Sequence, residues 1–489
     1  MDPGFDFAKT PTATKEESSK QYGVRTTAYA TIKNAPLPAD GPGSHSFSNV
    51  LMLLVLLGVP LYCAWKIGGG KYTWFFFILL GFLPLLTGFW YLNSVMGGRL
   101  NSKVTYPGKN VESYVSFKDP EDARKYSGHS KIPLETFQEM YIAGKVDFNG
   151  DVLDIMEYRH DWASFHFTIS LFRFFLFGMI PEVISHSRSQ DEEQVRDHYD
   201  RGDDFYGYFL GPRMVYTSGI IDTLESEESL EQLQDNKMRV ICEKIGLKEG
   251  DTMLDIGCGW GTLSVYASSQ YGAKVTGATL GRNQTKWGNA ALEKLGCAEP
   301  QSRILCMDYR DIAIPAGGYD KITCVEMAEH VDDGIFYMQV AGLRKCWQYE
   351  DLIWGLFMNK YIFPGADAST PLGFYVSSLE SAGFEVESID NIGVHYSATL
   401  WRWYRNWLAN KDKVQAKYGD RWYRIWVLFL AWSVIVSRQG GATCWQIVCR
   451  KNINSFHRIE RQPVQYGLKM NSSGKTGREW KGMPYKSSA

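Results

Sequence analysis

Residues 254–261 read Leu-Asp-Ile-Gly-Cys-Gly-Trp-Gly, a short apolar run followed by three alternating glycines. Glycine at such positions lets the backbone turn tightly from a strand into a helix, and it lets a ligand approach the backbone closely. The pattern therefore predicts a ligand-binding turn, with a turn made for packing alone as the alternative. The candidate ligand contacts are Leu254, Asp255, Gly257, Gly259 and Gly261.

The glycine spacing indicates the kind of ligand. The dinucleotide pattern G-x-G-x-x-G would need glycine at position 262, where this chain has Thr262. That pattern holds a pyrophosphate, a group that S-adenosylmethionine (SAM) lacks. The spacing therefore favours SAM over NAD.

Short apolar strands alternate with helical stretches in this half of the chain. The predicted strands are 252–256, 274–278, 303–307 and 321–325. Such alternation is typical of an α/β fold with a doubly wound, mostly parallel sheet. In this fold the ligand lies at the carboxyl ends of the strands, where the glycine turn is found.

Polar residues follow three of these strands. Thr279 and Gln284 come after the second strand, where the ribose and methionine portions of a cofactor would lie. Tyr309 and Arg310 come after the third, beside the expected adenine position. Glu329 follows the fourth and has the chemistry to move a proton or to hold an anion with its neighbouring histidine.

Composition excludes some classes of function. The formal net charge of −2 gives no reason to expect a nucleic-acid partner. The nine cysteines form no C-x-x-C pair, so neither a metal site nor a disulfide framework is predicted. A reduced, cytosol-facing catalytic part is the simplest interpretation.

The N-terminal part predicts a membrane anchor. Residues 1–46 have the composition of a disordered segment. Within residues 47–92, two uncharged apolar runs of about 20 residues flank a glycine-rich linker, which predicts a transmembrane helical hairpin. A hairpin buried in a soluble core is the alternative. Lysine and arginine flank both the linker and the exit, so charge does not decide the orientation. The need for SAM places the C-terminal part in the cytosol.

The remaining boundaries follow from composition. Residues 93–194 form a connector, and 195–450 form the α/β domain. Residues 162–181 are apolar but contain His166 and Arg173, which argues against a membrane span. We expect an interfacial helix or the wall of a lipid groove there, with a core helix as the alternative. Residues 451–489 form a basic tail that we expect to be disordered.

Eight motifs occur in the order found in the cyclopropane-fatty-acid synthase-like SAM methyltransferases, which residues 197–450 resemble. They are His198-Tyr199-Asp200, Tyr216-Thr217-Ser218-Gly219, residues 254–261, 279–284, Asp308-Tyr309-Arg310-Asp311, Glu329-His330-Val331, residues 359–365 and residues 395–400. The hairpin, together with residues 339–344 and 347–351, is most similar to the fungal sphingolipid C9-methyltransferases.

The resemblance implies a reaction and its residues. The double bond of a long chain attacks the methyl group of SAM, and the resulting carbocation loses a proton. The family uses a bound bicarbonate as base, and its holders correspond to Ser218, Glu329, Gln339 and Tyr396. Tyr216 and Thr217 correspond to cofactor contacts.

Two of these positions depart from the family. Ser218 replaces a cysteine and Gln339 replaces a histidine. Both residues still form hydrogen bonds with an anion, so bicarbonate stays possible, with Glu329 or a water as the alternative base. The changes fit a branch that makes a methylated alkene rather than a ring.

The segment after Val331 is unusually short. In the family, a crossover helix normally lies between the Glu-His-Val motif and the next strand. Here strand four ends near 325 and strand five begins near 335. A parallel crossover normally needs about a dozen residues or more. We therefore expect a perturbed sheet beside Glu329.

The resemblance implies SAM-dependent methylation at C9 of the Δ8-unsaturated sphingoid base of ceramide or glucosylceramide. It also implies a multi-pass protein of the endoplasmic reticulum. The alternatives are a cyclopropane synthase acting on phospholipid acyl chains and a catalytically impaired, truncated isoform. The candidates for a lipid entrance, with core packing as the alternative, are Trp354, Phe357, Tyr361 and Phe363.

Overall fold

The structure is a computed structural model. It describes residues 40–41, 43, 48–99, 101, 104–179, 202–315, 317–325, 335–345, 347–364 and 370–451. Most of the predicted N-terminal segment, nearly all of the basic tail, the His198 motif and Glu329 lie outside these residues.

Two long helices, α1 (Asn49–Lys66) and α2 (Lys71–Met96), form the predicted hairpin. The hydroxyl of Ser48 caps α1 by accepting a hydrogen bond from the backbone N–H of Leu51. Only 17% and 6% of the apolar windows of the two helices are buried, so the alternative of a buried core hairpin is wrong. Both helices are long and apolar enough to cross a membrane.

The connector is a folded unit. Its strand β1 (Val115–Phe117) pairs antiparallel with β3 (Val146–Phe148), and β2 (Ile132–Pro133) pairs parallel with β4 (Ala163–Ser164). Its helices are α3 (Pro120–Lys125), α4 (Leu134–Ile142), α5 (Val152–Glu157), α6 (Arg159–Trp162) and α7 (Ile169–Phe174), and a π-helical turn follows at Phe175–Met179. Most buried apolar residues of this unit share one core cluster with buried residues between 400 and 436.

The sequence predicted a single helix over residues 162–181. The described part of this stretch, residues 162–179, is not one helix. Trp162 is fully buried and Phe167 nearly so, and this half belongs to the core. Helix α7 begins only at Ile169, which is 81% exposed, and Phe177 is 77% exposed. The first half therefore packs in the core, as the alternative prediction stated. The second half presents apolar side chains at an exposed surface.

The C-terminal domain, predicted over residues 195–450, contains a seven-stranded sheet in the order β10-β11-β9-β8-β5-β6-β7. Strands β5 to β9 run parallel, while β11 pairs antiparallel with both β9 and β10. This confirms the predicted mostly parallel sheet, and the four predicted strands agree within one residue. The strands are β5 (Thr252–Ile256), β6 (Lys274–Thr279), β7 (Arg303–Cys306), β8 (Lys321–Val325), β9 (Ile335–Leu343), β10 (Phe384–Asn391) and β11 (Ala442–Lys451).

Helices cover both faces of this sheet. They are α8 (Asp203–Leu210), α9 (Leu230–Lys244), α10 (Thr262–Tyr271), α11 (Arg282–Lys294), α12 (Tyr349–Tyr361), α13 (Leu372–Ser381), α14 (Gly393–Ala409), α15 (Lys411–Tyr418) and α16 (Asp420–Gln439). Met238 and Ile241 of α9 share one apolar cluster with Tyr337 of the sheet, and Leu379 of α13 shares another with Met338. Alternate residues of β9 thus face α9 and α13.

The connection between β8 and β9 spans only residues 326–334. The two strands pair in parallel from Lys321 opposite Ile335 to Val325 opposite Gln339 without a register shift, so the perturbation expected beside Glu329 is absent from the described part of these strands. A crossover that contains a helix normally takes about a dozen residues or more. The structure thus has a shorter connection than this, and it confirms the strand boundaries predicted near 325 and near 335.

Candidate functional site

The glycine turn has the geometry that its sequence predicts. Gly257, Gly259 and Gly261 have φ of 67°, 55° and 76°, in the left-handed region that favours glycine. A Cβ at Gly261 would lie 2.1 Å from Cδ1 of Ile304, so this glycine permits close packing of helix and sheet. A Cβ at Gly259 would meet no atom within 4 Å. The turn therefore combines a packed glycine with one that faces open space.

Asp255 lies next to this turn and is held by protein hydroxyls. Its Oδ2 accepts a hydrogen bond from Ser264 (2.7 Å) and its Oδ1 accepts one from Thr323 (2.9 Å). Burial raises the pKa of this carboxyl to about 6, although both hydroxyls oppose the shift. Asp255 thus connects β5 to α10 and β8. Leu254 lies inside β5 between Thr276 of β6 and Ile322 of β8, and its side chain belongs to the apolar cluster that contains Leu379 of α13, so its cofactor contact stays a prediction.

Thr279 and Gln284 meet at the carboxyl end of β6. The hydroxyl of Thr279 donates a hydrogen bond to Oε1 of Gln284 (2.6 Å), and both side chains are nearly buried. Ala278 lies opposite Ile256 in the sheet, so this pair is one strand away from the glycine turn. The structure therefore brings the second predicted cofactor group beside the first.

Tyr309 and Arg310 follow β7 in a short 3₁₀ turn capped by Asp308. The guanidinium of Arg310 pairs with the carboxylate of Asp308 (2.7 Å) and lies 5.6 Å from the ring centre of Tyr309. Since Asp308 balances its charge, Arg310 is a suitable neighbour for an uncharged base such as adenine.

Thr217 is held by two side chains of α9. Gln234 donates a hydrogen bond from its amide nitrogen to the backbone oxygen of Thr217 (2.9 Å), and the ammonium of Lys237 donates to its hydroxyl oxygen. Lys237 is only 3% exposed. The hydroxyl of Ser218 donates to the backbone oxygen of Gly219 (2.8 Å). The loop is therefore ordered before any ligand binds.

The same loop is tied to α14. The backbone N–H of Gly219 donates to the hydroxyl of Thr399 (2.9 Å), and that of Ile221 donates to Nδ1 of His395 (2.9 Å). Burial lowers the pKa of His395, and Lys244 adds to the shift. These bonds connect the loop of Ser218 to the helix that carries Tyr396.

Aromatic rings join the two predicted tyrosines. The ring of Trp403 lies 5.4 Å from that of Tyr216 and 6.0 Å from that of Tyr396. Phe209 and Phe363 also pack on Tyr216, at 5.5 and 6.2 Å. Aromatic faces attract cations, so this cluster suits a sulfonium or a carbocation. Sequence reasoning missed Trp403 and Phe209, although the alternating tryptophans of residues 401–407 were a usable pattern.

Gln339 is fully buried in β9, and it lies level with the carboxyl end of β8 because it pairs with Val325. Its Oε1 accepts hydrogen bonds from the hydroxyl of Tyr337 and the amide of Gln446, each at 3.3 Å. Glu329 lies outside the described residues, and its predicted catalytic role stays a prediction. Sequence reasoning missed Gln446, because nothing in the local pattern indicates which strand pairs with β9.

The four candidates for a lipid entrance separate into two groups. Trp354 and Phe357 are nearly buried in the main core cluster, as the packing alternative predicts. Tyr361 and Phe363 are partly exposed at the end of α12. Only the second pair is placed where an entering chain could contact it.

Comparison with known proteins identifies the family of this chain. The family model of the mycolic acid cyclopropane synthetases matches residues 186–341 and 332–447, and the two matched segments overlap at 332–341, from the end of the short connection into β9. Sphingolipid C9-methyltransferase A of Emericella nidulans is 63% identical over 95% of this chain and 93% of its own. The sphingolipid C9-methyltransferase of Komagataella phaffii is 62% identical over 94% and 98%.

Among solved structures, the mycolic acid cyclopropane synthase CmaA1 complexed with SAH and CTAB matches 53% of this chain and 98% of its own. It does so at 24% identity and a TM-score of 0.48. The family match covers more than half of the chain, and the fungal relatives match nearly all of it, hairpin included. The chain therefore belongs to the sphingolipid C9-methyltransferases, within the cyclopropane synthase-like family of SAM-dependent methyltransferases.

Proposed function

We propose that this protein transfers the methyl group of SAM to C9 of the Δ8-unsaturated sphingoid base of ceramide or glucosylceramide. The observation that carries the proposal is the near full-length identity to fungal proteins of that name, which includes the hairpin. The open space at Gly259, beside the polar pair Thr279 and Gln284, supports SAM as the methyl donor.

The proposed reaction balances as follows. A new bond forms between the methyl carbon and C9, and the sulfur–methyl bond breaks with its electron pair passing to sulfur. A cation is left at C8. Loss of the proton from C9 returns the electrons of that C–H bond to a C8–C9 double bond. The site must therefore exclude water, stabilise a cation and remove a proton.

The residues of this chain match these three demands. Tyr216, Trp403 and Tyr396 supply aromatic faces for the sulfonium and the cation. Ser218 and Gln339 are both fully buried, which supports the exclusion of water around them. An amide does not accept a proton at neutral pH, so Gln339 holds the base rather than acting as one. Bicarbonate or Glu329 is the base in this proposal.

The apolar hairpin supports a reaction at a membrane. We propose that α1 and α2 span the bilayer with both ends on the cytosolic side, in the endoplasmic reticulum. The ring of Trp90 near the end of α2 packs on Phe167 (5.2 Å) and Trp347 (5.8 Å). The hairpin thus contacts the rest of the protein directly, which supports a substrate that stays in the bilayer.

Product analysis tests the proposal. Purified protein in detergent is given SAM with a deuterated methyl group and a Δ8-unsaturated glucosylceramide, and lipids are analysed by mass spectrometry before and after ozonolysis. We expect a labelled product that ozonolysis cleaves at the methylated double bond. A labelled product that resists ozonolysis at this bond would identify a cyclopropane synthase instead.

The short connection between β8 and β9 favours the impaired isoform as the second candidate. Isothermal titration with SAM separates the two: binding without turnover supports an impaired enzyme, and turnover excludes it. A variant in which this connection is lengthened to the dozen residues or more of an ordinary parallel crossover is the matched control. If only that variant turns over, the short connection is the cause.

A further inference from the structure

Three polar side chains lie side by side across the buried sheet. Gln339 of β9 pairs with Gln446 of β11, and Gln446 pairs with Asp390 of β10. We call these three residues the polar row. Both glutamines are fully buried, whereas Asp390 is about half exposed at the sheet edge. Buried polar groups in a sheet core are costly unless their hydrogen bonds are satisfied, so the direction of each bond matters.

Lys244 decides the direction of the first bond. This last residue of α9 has a side chain that is only 3% exposed. Its Nζ lies 2.7 Å from Oε1 of Gln446 and 2.6 Å from Oδ2 of Asp390. An ammonium group only donates hydrogen bonds. The oxygen of the Gln446 amide must therefore face Lys244.

The orientation then passes along the row. Since the oxygen of Gln446 faces Lys244, its Nε2 faces Gln339 and donates to Oε1 of that residue (3.3 Å). The hydroxyl of Tyr337 contacts the same oxygen. Nε2 of Gln339 is buried and has no hydrogen-bond partner in the part of the chain that the structure describes. An unsatisfied buried donor costs about 1–3 kcal/mol, so this N–H group is suited to a ligand.

We propose that Lys244 and Gln446 are positioning residues, which hold the Gln339 amide with its N–H group directed at the acceptor of the reaction's proton. The inference rests on the proposed function. The histidine that Gln339 replaces in the family can donate or accept through either ring nitrogen, depending on its tautomer. A glutamine donates only through its amide nitrogen, so an amide rotated by 180° would turn its oxygen toward an anion and repel it.

A double-mutant cycle tests this coupling. Lys244→Met removes the ammonium group that orients the Gln446 amide. We therefore expect kcat to fall about tenfold, the equivalent of about 1.4 kcal/mol, with KM for SAM unchanged. Lys244→Arg retains a donor and should keep most of the activity. In a Gln339→His background the constraint has no amide to orient, so adding Lys244→Met should change kcat less than twofold.

The matched control is Arg239→Met, which removes a cation of the same helix that pairs at the surface with Asp222 and Glu243. It should leave kcat unchanged. Equal losses from Lys244→Met in the wild-type and Gln339→His backgrounds would overturn the proposal, because they would indicate general damage to the fold.

A pH profile adds a second readout. Burial lowers the pKa of Lys244, while Asp390 opposes this shift. Asp390 and His395 are the titratable neighbours that interact with Lys244. Loss of the Lys244 proton removes the constraint, so kcat should fall on the alkaline side. In Lys244→Arg this fall should move to higher pH, and an unchanged alkaline limb would contradict the proposal.

A measurement without turnover separates this inference from the proposed function. Thermal unfolding is followed with sodium bicarbonate and with sodium chloride at equal ionic strength. We expect bicarbonate to raise the midpoint of wild type and Arg239→Met but not of Lys244→Met. An equal rise in all three proteins would refute the positioning role even if no methylated lipid were ever found.

Discussion

Two alanine substitutions in the glycine turn should separate cofactor binding from folding. Gly259 and Gly261 are two residues apart and both have positive φ, at 55° and 76°. They differ in what a methyl group would meet. At Gly259 there is no atom within 4 Å, whereas at Gly261 Cδ1 of Ile304 lies at 2.1 Å. The pair is therefore a matched set with the same backbone strain and different surroundings.

The expected magnitudes follow from this difference. A non-glycine residue in the left-handed region costs about 1–2 kcal/mol, which applies to both variants. Gly261→Ala adds an overpacking cost of about 1–3 kcal/mol. We therefore expect Gly261→Ala to unfold at a clearly lower temperature than Gly259→Ala, at about 2–4 °C for each kcal/mol of difference.

The affinity for SAM should show the opposite order, with the larger loss in Gly259→Ala. The methyl group of Gly259→Ala occupies the open space where we place SAM, so the affinity for SAM should fall at least about tenfold, or 1.4 kcal/mol. Isothermal titration and thermal unfolding of the detergent-solubilised full chain measure the two effects. Wild-type affinity for SAM in Gly259→Ala would refute the placement of the cofactor.

Ile304→Val supplies the internal control for the clash. It removes Cδ1, the atom that a methyl group at Gly261 would meet, at a cost of about 0.5–1.5 kcal/mol by itself. Combined with Gly261→Ala, it should recover part of the lost stability. If the two effects simply add, the destabilisation has another cause than this contact.

Three further predictions concern pH, a buried ion pair and the membrane surface. Because the folded pKa of Asp255 is raised to about 6, ionising this carboxyl lowers the unfolding free energy as the pH rises from about 4 to 6. Asp255→Asn should make this fall smaller. An unchanged slope of unfolding free energy against pH would argue against this. Burial raises the pKa of Glu350, but Arg159 and then His160 outweigh it and lower the pKa to about 2, so this group stabilises the fold at neutral pH and loses its effect only in strong acid. Glu350→Gln leaves the guanidinium of Arg159 buried without its counter-charge and should cost about 3–5 kcal/mol in denaturant unfolding, whereas a loss below 1 kcal/mol would show that the pair is not needed. Glutamate at the exposed position Ile169 should lower activity on substrate in bilayers but not in detergent micelles; equal losses in both would exclude a membrane contact at α7.

Local pattern was sufficient for much of the fold. The alternation of apolar runs and glycines predicted β5 and its turn, because a strand and a tight turn each impose a short-range pattern on the sequence. The hairpin was predictable for a similar reason, since the length of an uncharged apolar run depends on neighbouring residues alone. The early start of β9 at Ile335 was also visible in the sequence.

Contacts between distant residues needed the tertiary structure. Residues 162–181 read as one apolar stretch, yet the first half fills the core and the second half is exposed, because burial depends on which element packs against each face. The polar row shows the same limit most clearly. Gln339 was named from sequence as an anion holder, but its orientation depends on Gln446 and Lys244, which become its neighbours only because β11 inserts antiparallel beside β9. A sequence determines which residues are buried along each strand, whereas the order of strands in the sheet decides which buried polar groups meet.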